Sequence, residues 1–250
     1  MAEPQTIKIA PMVPIDHSAT SWTRFINAFE VAEFTGWIDE SVSWKTTCYI
    51  GDWSQALKLR IRGPEAKAFL EFISTNHWPN LKRHQAKHSI MCRDDGNIMG
   101  EGLIMMLDQN DYIFTSGPGI PWALFQAKHG RRKFDIETEI VSDDWYLLQI
   151  QGPKSHEVLE AATGESIRDL KFLDAKEMSI GELKFLALRQ GVSGERGYEL
   201  WGPSKDGQSV YKAILAAGEK FGIRQLGMRT KLVNHVLLTT NYLVLTFGKC

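Results

Sequence analysis

Arg189-Gln-Gly-Val-Ser-Gly-Glu-Arg-Gly-Tyr-Glu-Leu-Trp-Gly-Pro203 is the stretch around which this chain is organised. Three of its glycines, at 191, 194 and 197, suit a backbone that needs positive φ angles or the close approach of another segment. The aromatic and apolar residues that follow restore a strand. Because Glu195, Arg196 and Glu199 stand within this pattern, it predicts either a hairpin with a solvated charged tip or a carboxylate that reaches a ligand.

The composition is that of a globular protein with enough residues for a hydrophobic core. Of 250 residues, 43% are hydrophobic and 24% are charged. The formal net charge of −1 provides no field that attracts nucleic acid or an anionic membrane, so neither is expected as a partner. Three scattered cysteines give no disulfide framework and indicate a reducing cytoplasm. The longest apolar region, 236–247, is shorter than the roughly 20 residues that cross a bilayer.

Hydrophobic periodicity predicts an α+β protein of antiparallel sheets and packing helices. Residues 1–20 are expected to form an extended arm. The spacing of apolar residues predicts a helix from Ser21 to Phe34, and a polar loop is expected from Trp37 to Trp44. A strand, a Gly-Pro pair and a helix follow one another twice, at 57–74 and at 146–162.

Glu101 is an acidic residue inside the predicted apolar strand 97–107. Such a carboxylate lies either on the solvated face of its strand or in the interior with a function. Alternation places it on the face of Met99 and Leu103, which favours a raised pKa and a role in a pocket. The histidines at 84 and 88 and Cys92 are spaced four apart, but loop and strand flanks do not bring them together, so no metal site is expected.

Several stretches together resemble the glycine-cleavage T-protein (aminomethyltransferase) superfamily. They are Gln149-Ile-Gln-Gly-Pro-Lys154, the stretch 189–203, and Ala217-Gly-Glu-Lys-Phe-Gly222 followed by Gly227-Met-Arg229. The Gln-Ile-Gln-Gly-Pro and Glu-Leu-Trp-Gly-Pro runs are most similar to the tetrahydrofolate-dependent aryl O-demethylases that act on vanillate and syringate. The resemblance covers about residues 30–235 and implies transfer of a methyl or other one-carbon group to or from tetrahydrofolate.

The resemblance also assigns roles to individual residues. Glu199 matches the glutamate that hydrogen-bonds the pterin ring, and Arg229 matches an arginine near the folate and the substrate. Glu101 occupies the position of a functional aspartate near the reacting folate nitrogen, where a carboxylate can bind the cofactor and manage a proton or stabilise positive charge. The positions of the groups that surround the methoxy substrate are held by Asn27, Gln55 and Lys231.

The implied organisation is a T-protein-like folate-binding core at 21–235, made of two interleaved subdomains of which the inserted one spans about 52–140. The tail at 236–250 matches nothing in the family, and most of the family's C-terminal β-rich domain is expected to be missing. The implied activity is that of a cytoplasmic methyltransferase that O-demethylates a small methoxylated, aromatic compound and yields 5-methyl-tetrahydrofolate. A folate-binding protein without turnover and an aminomethyltransferase of glycine cleavage are the alternatives. The oligomeric state is left open.

Overall fold

The computed structural model describes residues 8–9, 19, 21–25, 28–78, 80–191 and 193–234. The expectations for Asn27, for the tail at 236–250 and for most of the arm at 1–20 lie outside the described residues. The chain divides into two compact units. The first unit comprises Met1–Gln55, Trp145–Phe172 and Glu177–Cys250, and the second comprises Ala56–Asp144 and Leu173–Lys176.

Among the described residues are fourteen strands, five α-helices with defined bounds and a further helical segment at 228–234. The strands are β1 (Lys8–Ile9), β2 (Ser21–Phe25), β3 (Ala28–Glu33), β4 (Cys48–Asp52), β5 (Lys58–Arg62), β6 (Ala86–Cys92), β7 (Ile98–Asp108), β8 (Asp111–Thr115), β9 (Glu137–Ile140), β10 (Trp145–Gln151), β11 (Ala175–Ile180), β12 (Leu183–Leu188), β13 (Gly197–Pro203) and β14 (Ile223–Gln225). The helices are α1 (Trp37–Thr46), α2 (Ala66–Ile73), α3 (Gly119–His129), α4 (Ser155–Thr163) and α5 (Gly207–Gly218).

A six-stranded sheet with the order β11-β12-β13-β10-β4-β14 forms the centre of the first unit. Strand β10 pairs antiparallel with both β13 and β4, whereas β14 joins β4 in parallel. A smaller sheet has the order β1-β3-β2, with β1 parallel and β2 antiparallel to β3. The predicted α+β class of mainly antiparallel sheets with packing helices is therefore confirmed, with two parallel pairs added at its edges.

Helices α4 and α5 cover one face of the six-stranded sheet and close a hydrophobic core. Val158 and Leu159 of α4 and Val210 and Ile214 of α5 are buried in this cluster. Each large apolar side chain that is removed from water contributes about 1.5–3 kcal/mol. Alternate residues of β4, β10 and β13 reach the same core, and the remaining residues of these strands point to the opposite face.

The second unit contains a five-stranded antiparallel sheet with the order β6-β7-β8-β5-β9. Helices α2 and α3 pack on it through their apolar residues, among them Phe69, Leu70, Ile120 and Ala123. The predicted succession of a strand and a helix at 57–74 is confirmed, since β5 and α2 span it to within one residue at each end. This unit therefore has a core of its own.

Two sequence-based assignments near the beginning of the chain are wrong. The predicted helix from Ser21 to Phe34 is an antiparallel pair of strands, β2 and β3. The apolar residues that suggested it include Trp22 and Phe29, which are 42% and 39% exposed, whereas Glu30 is buried. The polar stretch after Gly36, which was expected to be a loop, is helix α1.

A buried carboxylate explains why α1 forms in this polar stretch. Glu40 is fully buried, and its Oε1 accepts hydrogen bonds from the backbone N–H groups of Phe34 at 2.7 Å and Thr35 at 3.1 Å. Its Oε2 accepts from the Gly227 N–H at 2.8 Å and from the Thr230 hydroxyl at 3.0 Å. Four donors compensate the loss of water around the charge, so the side chain points inward although it is charged.

Candidate functional site

The face of the six-stranded sheet opposite α4 and α5 carries a row of buried polar side chains. In β13, Tyr198 and Leu200 belong to the hydrophobic core, so Glu199 and Trp201 lie on the other face because strand side chains alternate. Gln149 pairs with Glu199 across the β10–β13 ladder and therefore shares its face. All of these side chains are buried, so this face is shielded from water as well.

Glu199 is held at a defined place on this face. It lies between Gln149 of β10 and Leu188 of β12, its register partners on either side. It is 8% exposed, and its Oε2 accepts a hydrogen bond of 3.1 Å from the indole Nε1 of Trp201. The predicted pterin-binding residue is thus a nearly buried carboxylate that accepts a hydrogen bond from a neighbour on its own strand.

Tyr49 of β4 connects the polar side chains of the row. Its hydroxyl lies 2.9 Å from Oε1 of Gln149 and 2.8 Å from Oε1 of Gln151. Burial raises the pKa of Tyr49, the charge of Glu199 acts in the same direction, and the neighbouring Ser193 and Asn234 oppose the shift. The phenol is therefore protonated at neutral pH, and its single proton serves one amide oxygen at a time.

Two glycines of the opening stretch are explained by the side chain of Gln151. A Cβ atom on Gly191 would lie 2.3 Å from Nε2 of Gln151, and one on Gly197 would lie 2.9 Å from its Cγ. The amide Nε2 also donates a 2.9 Å hydrogen bond to the carbonyl of Glu195. Close approach is thus the requirement at positions 191 and 197, whereas Gly194 has a positive φ of 82°.

The charged tip of this stretch lies at the surface, as its hairpin interpretation predicts. Glu195 forms an ion pair of 3.1 Å with Lys45, and both side chains are substantially exposed. The carbonyl of Arg196 accepts hydrogen bonds from the Gly152 N–H and the Ser155 hydroxyl. The hairpin interpretation therefore holds for the tip of the stretch. Glu199 is inside, and its contact with a ligand stays a prediction.

Arg229 and Lys231 are two residues apart in the helical segment 228–234 but lie in different environments. Arg229 is exposed and forms an ion pair with Glu33. Lys231 is 2% exposed, and its Nζ lies 2.6 Å from Oε2 of Glu30. It also donates to the carbonyl of Asp52. Burial raises the pKa of the Glu30 carboxyl, and the charge of Lys231 and its hydrogen bond oppose this shift.

Of the two further substrate-binding candidates, Gln55 lies within the described residues and Asn27 does not. Gln55, at the end of the first unit's opening segment, buries both amide atoms, and neither makes a hydrogen bond. Asn27 lies outside the described residues. The role of Gln55 in substrate binding stays a prediction.

Glu101 lies in β7 of the second unit and is exposed. The expectation that it is buried among apolar residues is wrong. Leu103, Ile104 and Met105 are buried, but burial decreases toward the beginning of β7, where Ile98 is 46% exposed. Alternation along the strand therefore does not by itself place Glu101 in the interior. Its role near the reacting nitrogen stays a prediction.

A comparison with protein-family models matches residues 16–235 to the GCVT N-terminal domain. The chain belongs to this family. The membership confirms the resemblance to the T-protein superfamily, and it places the buried row of Tyr49, Gln149, Gln151 and Glu199 within the matched domain. Tetrahydrofolate, which the resemblance implies as cofactor, is used by members of this family.

Two curated proteins and one solved structure are among those similar to this chain. The chain is 31% identical over 207 residues to a syringate O-demethylase of a Sphingobium species, covering 79% of this chain and 45% of that protein. It is 29% identical over 211 residues to a sesamin methylene transferase of a Sinomonas species, covering 83% and 46%. The crystal structure of the glycine cleavage system aminomethyltransferase T from Bartonella henselae matches with a TM-score of 0.74 at 19% identity, covering 88% of this chain and 59% of the other.

The chain therefore spans about half the length of the curated relatives it matches. The structural match shows a GCVT-type fold. Among the described residues, no helix combines the length and the apolar character that a membrane span requires. In the same part of the chain, no three His, Cys, Asp or Glu side chains converge in a way that could hold a metal ion.

Sequence reasoning missed Tyr49, Gln151, Trp201 and Glu30 as members of polar clusters. A signal for one of them was present, because the glutamines of Gln149-Ile-Gln151 alternate with an isoleucine inside an otherwise apolar strand. Two amides on the same face of a buried strand need partners on that face. No comparable signal marks Glu30, since its partner Lys231 is 201 residues away in sequence.

Proposed function

We propose that this chain binds tetrahydrofolate and provides the folate-binding part of an enzyme that O-demethylates a small methoxylated, aromatic compound. The observation that carries the proposal is Glu199, a nearly buried carboxylate held by Trp201 on a polar face of the central sheet. The products are the free hydroxyl compound and 5-methyl-tetrahydrofolate. The O-demethylase relative supports this choice of reaction.

The residues of the polar row suit the edge of a pterin ring. A carboxylate only accepts hydrogen bonds, and the 2-amino-pyrimidinone edge offers two adjacent donors to it. Amides such as Gln149 both donate and accept, so they match the alternating groups of the same edge.

The remaining assigned residues have roles around the transferred group. Tetrahydrofolate would supply the amine nitrogen that takes the methyl group, and the proton released there would end on the ether oxygen that becomes the hydroxyl. Glu101 is proposed to hold or move that proton, and Arg229 to bind near the folate and the substrate. The methoxy compound is proposed to lie against Asn27, Gln55 and Lys231.

Two alternatives have support of their own. The structural match to a glycine cleavage aminomethyltransferase favours aminomethyl transfer, which needs a lipoyl-bearing protein as partner. The burial of Lys231, a proposed substrate contact, in an ion pair with Glu30 favours a folate-binding protein without turnover. Both alternatives keep Glu199 as the pterin ligand and differ in what happens after binding.

The test combines binding and turnover on the 250-residue chain. Calorimetric titration with (6S)-tetrahydrofolate measures affinity, and incubation with a panel of aryl methyl ethers followed by mass spectrometry detects 5-methyl-tetrahydrofolate. Glu199→Gln is expected to weaken binding at least tenfold, because it replaces an acceptor-only group by one that also donates. Glu195→Gln is the matched control, since Glu195 is on the same stretch but exposed.

The outcomes separate the three functions. Methyl-folate from at least one ether supports O-demethylation, whereas binding without product from any ether supports the non-catalytic alternative. Product formed only with an aminomethylated lipoyl carrier supports glycine cleavage. Equal affinity of wild type and Glu199→Gln would refute the assignment of this face as the folate site.

A further inference from the structure

The ion pair of Glu30 and Lys231 leaves one oxygen of the carboxylate without a partner. Glu30 is 2% exposed, and its Oε2 lies 2.6 Å from Nζ of Lys231. Its Oε1 is shielded from solvent, and no group among the described residues donates a hydrogen bond to it. A carboxylate accepts hydrogen bonds with both of its oxygens, so half of the acceptor capacity of Glu30 is unused.

Two other side chains in this part of the first unit also bury polar atoms that lack partners. The ring of Trp53 lies 5.3 Å from Nζ of Lys231, and its indole Nε1 makes no hydrogen bond within the described part of the chain. Gln55 follows two residues later, and the same is true of both its amide atoms. Lys231 itself donates to Glu30 and to the carbonyl of Asp52. Unpaired donors and acceptors therefore accompany this ion pair.

The chemistry of the unpaired carboxylate oxygen defines the group that fits against it. A buried polar atom without a partner costs about 1–3 kcal/mol, and a charged one costs more, so such atoms are rare in native proteins. The ammonium of Lys231 stabilises the ionised form of Glu30, in which Oε1 can only accept. An ether oxygen at this place would set one acceptor against another. The missing partner is therefore a donor, such as a hydroxyl group.

We infer that Glu30 is a specificity-determining residue of the substrate site, and that it selects a methoxylated compound which also carries a hydroxyl group as hydrogen-bond donor. This inference rests on the proposed function, in which Gln55 and Lys231 contact the methoxy compound. Lys231 holds Oε2 of Glu30, and Oε1 accepts the hydroxyl hydrogen of the substrate. Because Glu30 balances the charge of Lys231, an uncharged part of the compound fits here.

The test uses Glu30→Gln, which reverses the hydrogen-bonding character of one position. The amide oxygen of glutamine can accept from Lys231, and its NH₂ group then replaces Oε1, so an acceptor becomes a donor. The three positional isomers of methoxyphenol and of dimethoxybenzene are titrated into the 250-residue chain, and ligand NMR signals give the affinities. The affinity ratio of methoxyphenol to dimethoxybenzene, for the isomer that binds best, is expected to fall at least about tenfold in Glu30→Gln, which corresponds to about 1.4 kcal/mol. The extra methyl group cancels because both proteins meet it.

Glu40→Gln is the matched control for a buried glutamate. Glu40 is fully buried, and each of its oxygens already accepts two hydrogen bonds. Its replacement is expected to lower the free energy of unfolding and to leave the affinity ratio unchanged. A purely structural role of Glu30 would give this same result for Glu30→Gln.

A measurement on wild type alone covers the case in which Glu30→Gln does not fold. A methoxybenzene with fluorine in place of the hydroxyl group has a similar size and no donor. Wild type is expected to bind it at least about tenfold more weakly than the matching methoxyphenol. Equal affinity for the two compounds would overturn the inference.

Titration with (6S)-tetrahydrofolate separates this inference from the proposed function. An affinity ratio that depends on Glu30, in a chain that does not bind tetrahydrofolate, would refute the folate function and keep the role of Glu30. Folate binding together with an unchanged ratio in Glu30→Gln would overturn the inference and leave the folate site intact. Folate binding without affinity for any methoxyphenol would do the same.

Discussion

The buried pair of Glu30 and Lys231 gives a stability prediction that can be worked from the geometry. The side chains are 3% and 2% exposed, and Nζ lies 2.6 Å from Oε2. At an effective dielectric constant of about 20, two unit charges at this distance attract each other by about 6 kcal/mol. Desolvation costs several kcal/mol for each ion, so the intact pair contributes little net stability.

Removing one partner has a much larger effect than the pair's net contribution. Lys231→Met leaves the Glu30 carboxylate buried without its cation, and such a change typically costs about 3–5 kcal/mol. This is a large part of the about 5–15 kcal/mol that stabilises an ordinary domain. The double variant Glu30→Met with Lys231→Met removes both charges at similar volume and is expected to be close to wild type or more stable.

The assay is urea unfolding followed by circular dichroism and by tryptophan fluorescence, with coincident transitions required before a free energy is calculated. The exposed pair Lys45 and Glu195, 3.1 Å apart, is the matched control within the same unit. Lys45→Met is expected to cost about 0–1 kcal/mol because solvent screens exposed pairs. A cost below about 1 kcal/mol for Lys231→Met, equal to that of the control, would refute the reasoning.

The pH dependence of the same pair has a defined sign. Burial raises the pKa of Glu30 above its ordinary value of 4.5. A group with a raised pKa in the folded state contributes its full stability below the unfolded value, and this contribution is lost as pH rises through the folded value. The free energy of unfolding of wild type is therefore expected to fall as pH rises above 4.5. In the double variant, which lacks Glu30, it is expected to fall less. An unchanged pH profile would contradict the assignment to Glu30.

Two further predictions concern other buried positions. Gly197→Ala places a Cβ 2.9 Å from the side chain of Gln151 and is expected to destabilise the protein by about 1–3 kcal/mol through overpacking. The control Gly117→Ala, whose Cβ meets no atom within 4 Å, is expected to change the midpoint of urea unfolding little. Equal midpoints for the two variants would exclude the close approach at Gly197. Burial raises the pKa of the Cys48 thiol to about 12, so iodoacetamide at pH 8 is expected to leave Cys48 unmodified in the native protein, and peptide mass spectrometry that finds rapid alkylation there would refute its burial.

Much of the fold follows from local patterns in the sequence. The two predicted successions of strand, Gly-Pro pair and helix at 57–74 and 146–162 are found as β5 with α2 and β10 with α4, because apolar periodicity and Gly-Pro boundaries are local signals. The candidate site was predicted in part, since the glycines of 189–203 indicated the close approach of another segment and the family resemblance indicated Glu199. The partner that makes this approach, Gln151, was not predicted because the contact joins two different strands.

The two wrong assignments have one physical cause. Both the strand pair at 21–33 and helix α1 are defined by an inward-pointing glutamate, Glu30 in one and Glu40 in the other. A prediction from the pattern of apolar and polar residues assigns a glutamate to the exposed face. Glu30 is compensated by Lys231, and Glu40 by Gly227 and Thr230, at separations of 187 to 201 residues.

The sequence by itself determined the α+β class, the elements with strong periodicity and the family to which the chain belongs. Only the tertiary structure decided which charges are buried and how Glu199 is oriented. The reason is that a local pattern reports the preference of a segment for water or for the interior. The free energy of a buried carboxylate depends instead on donors such as the indole of Trp201 or the ammonium of Lys231, and their positions exist only once the chain has folded.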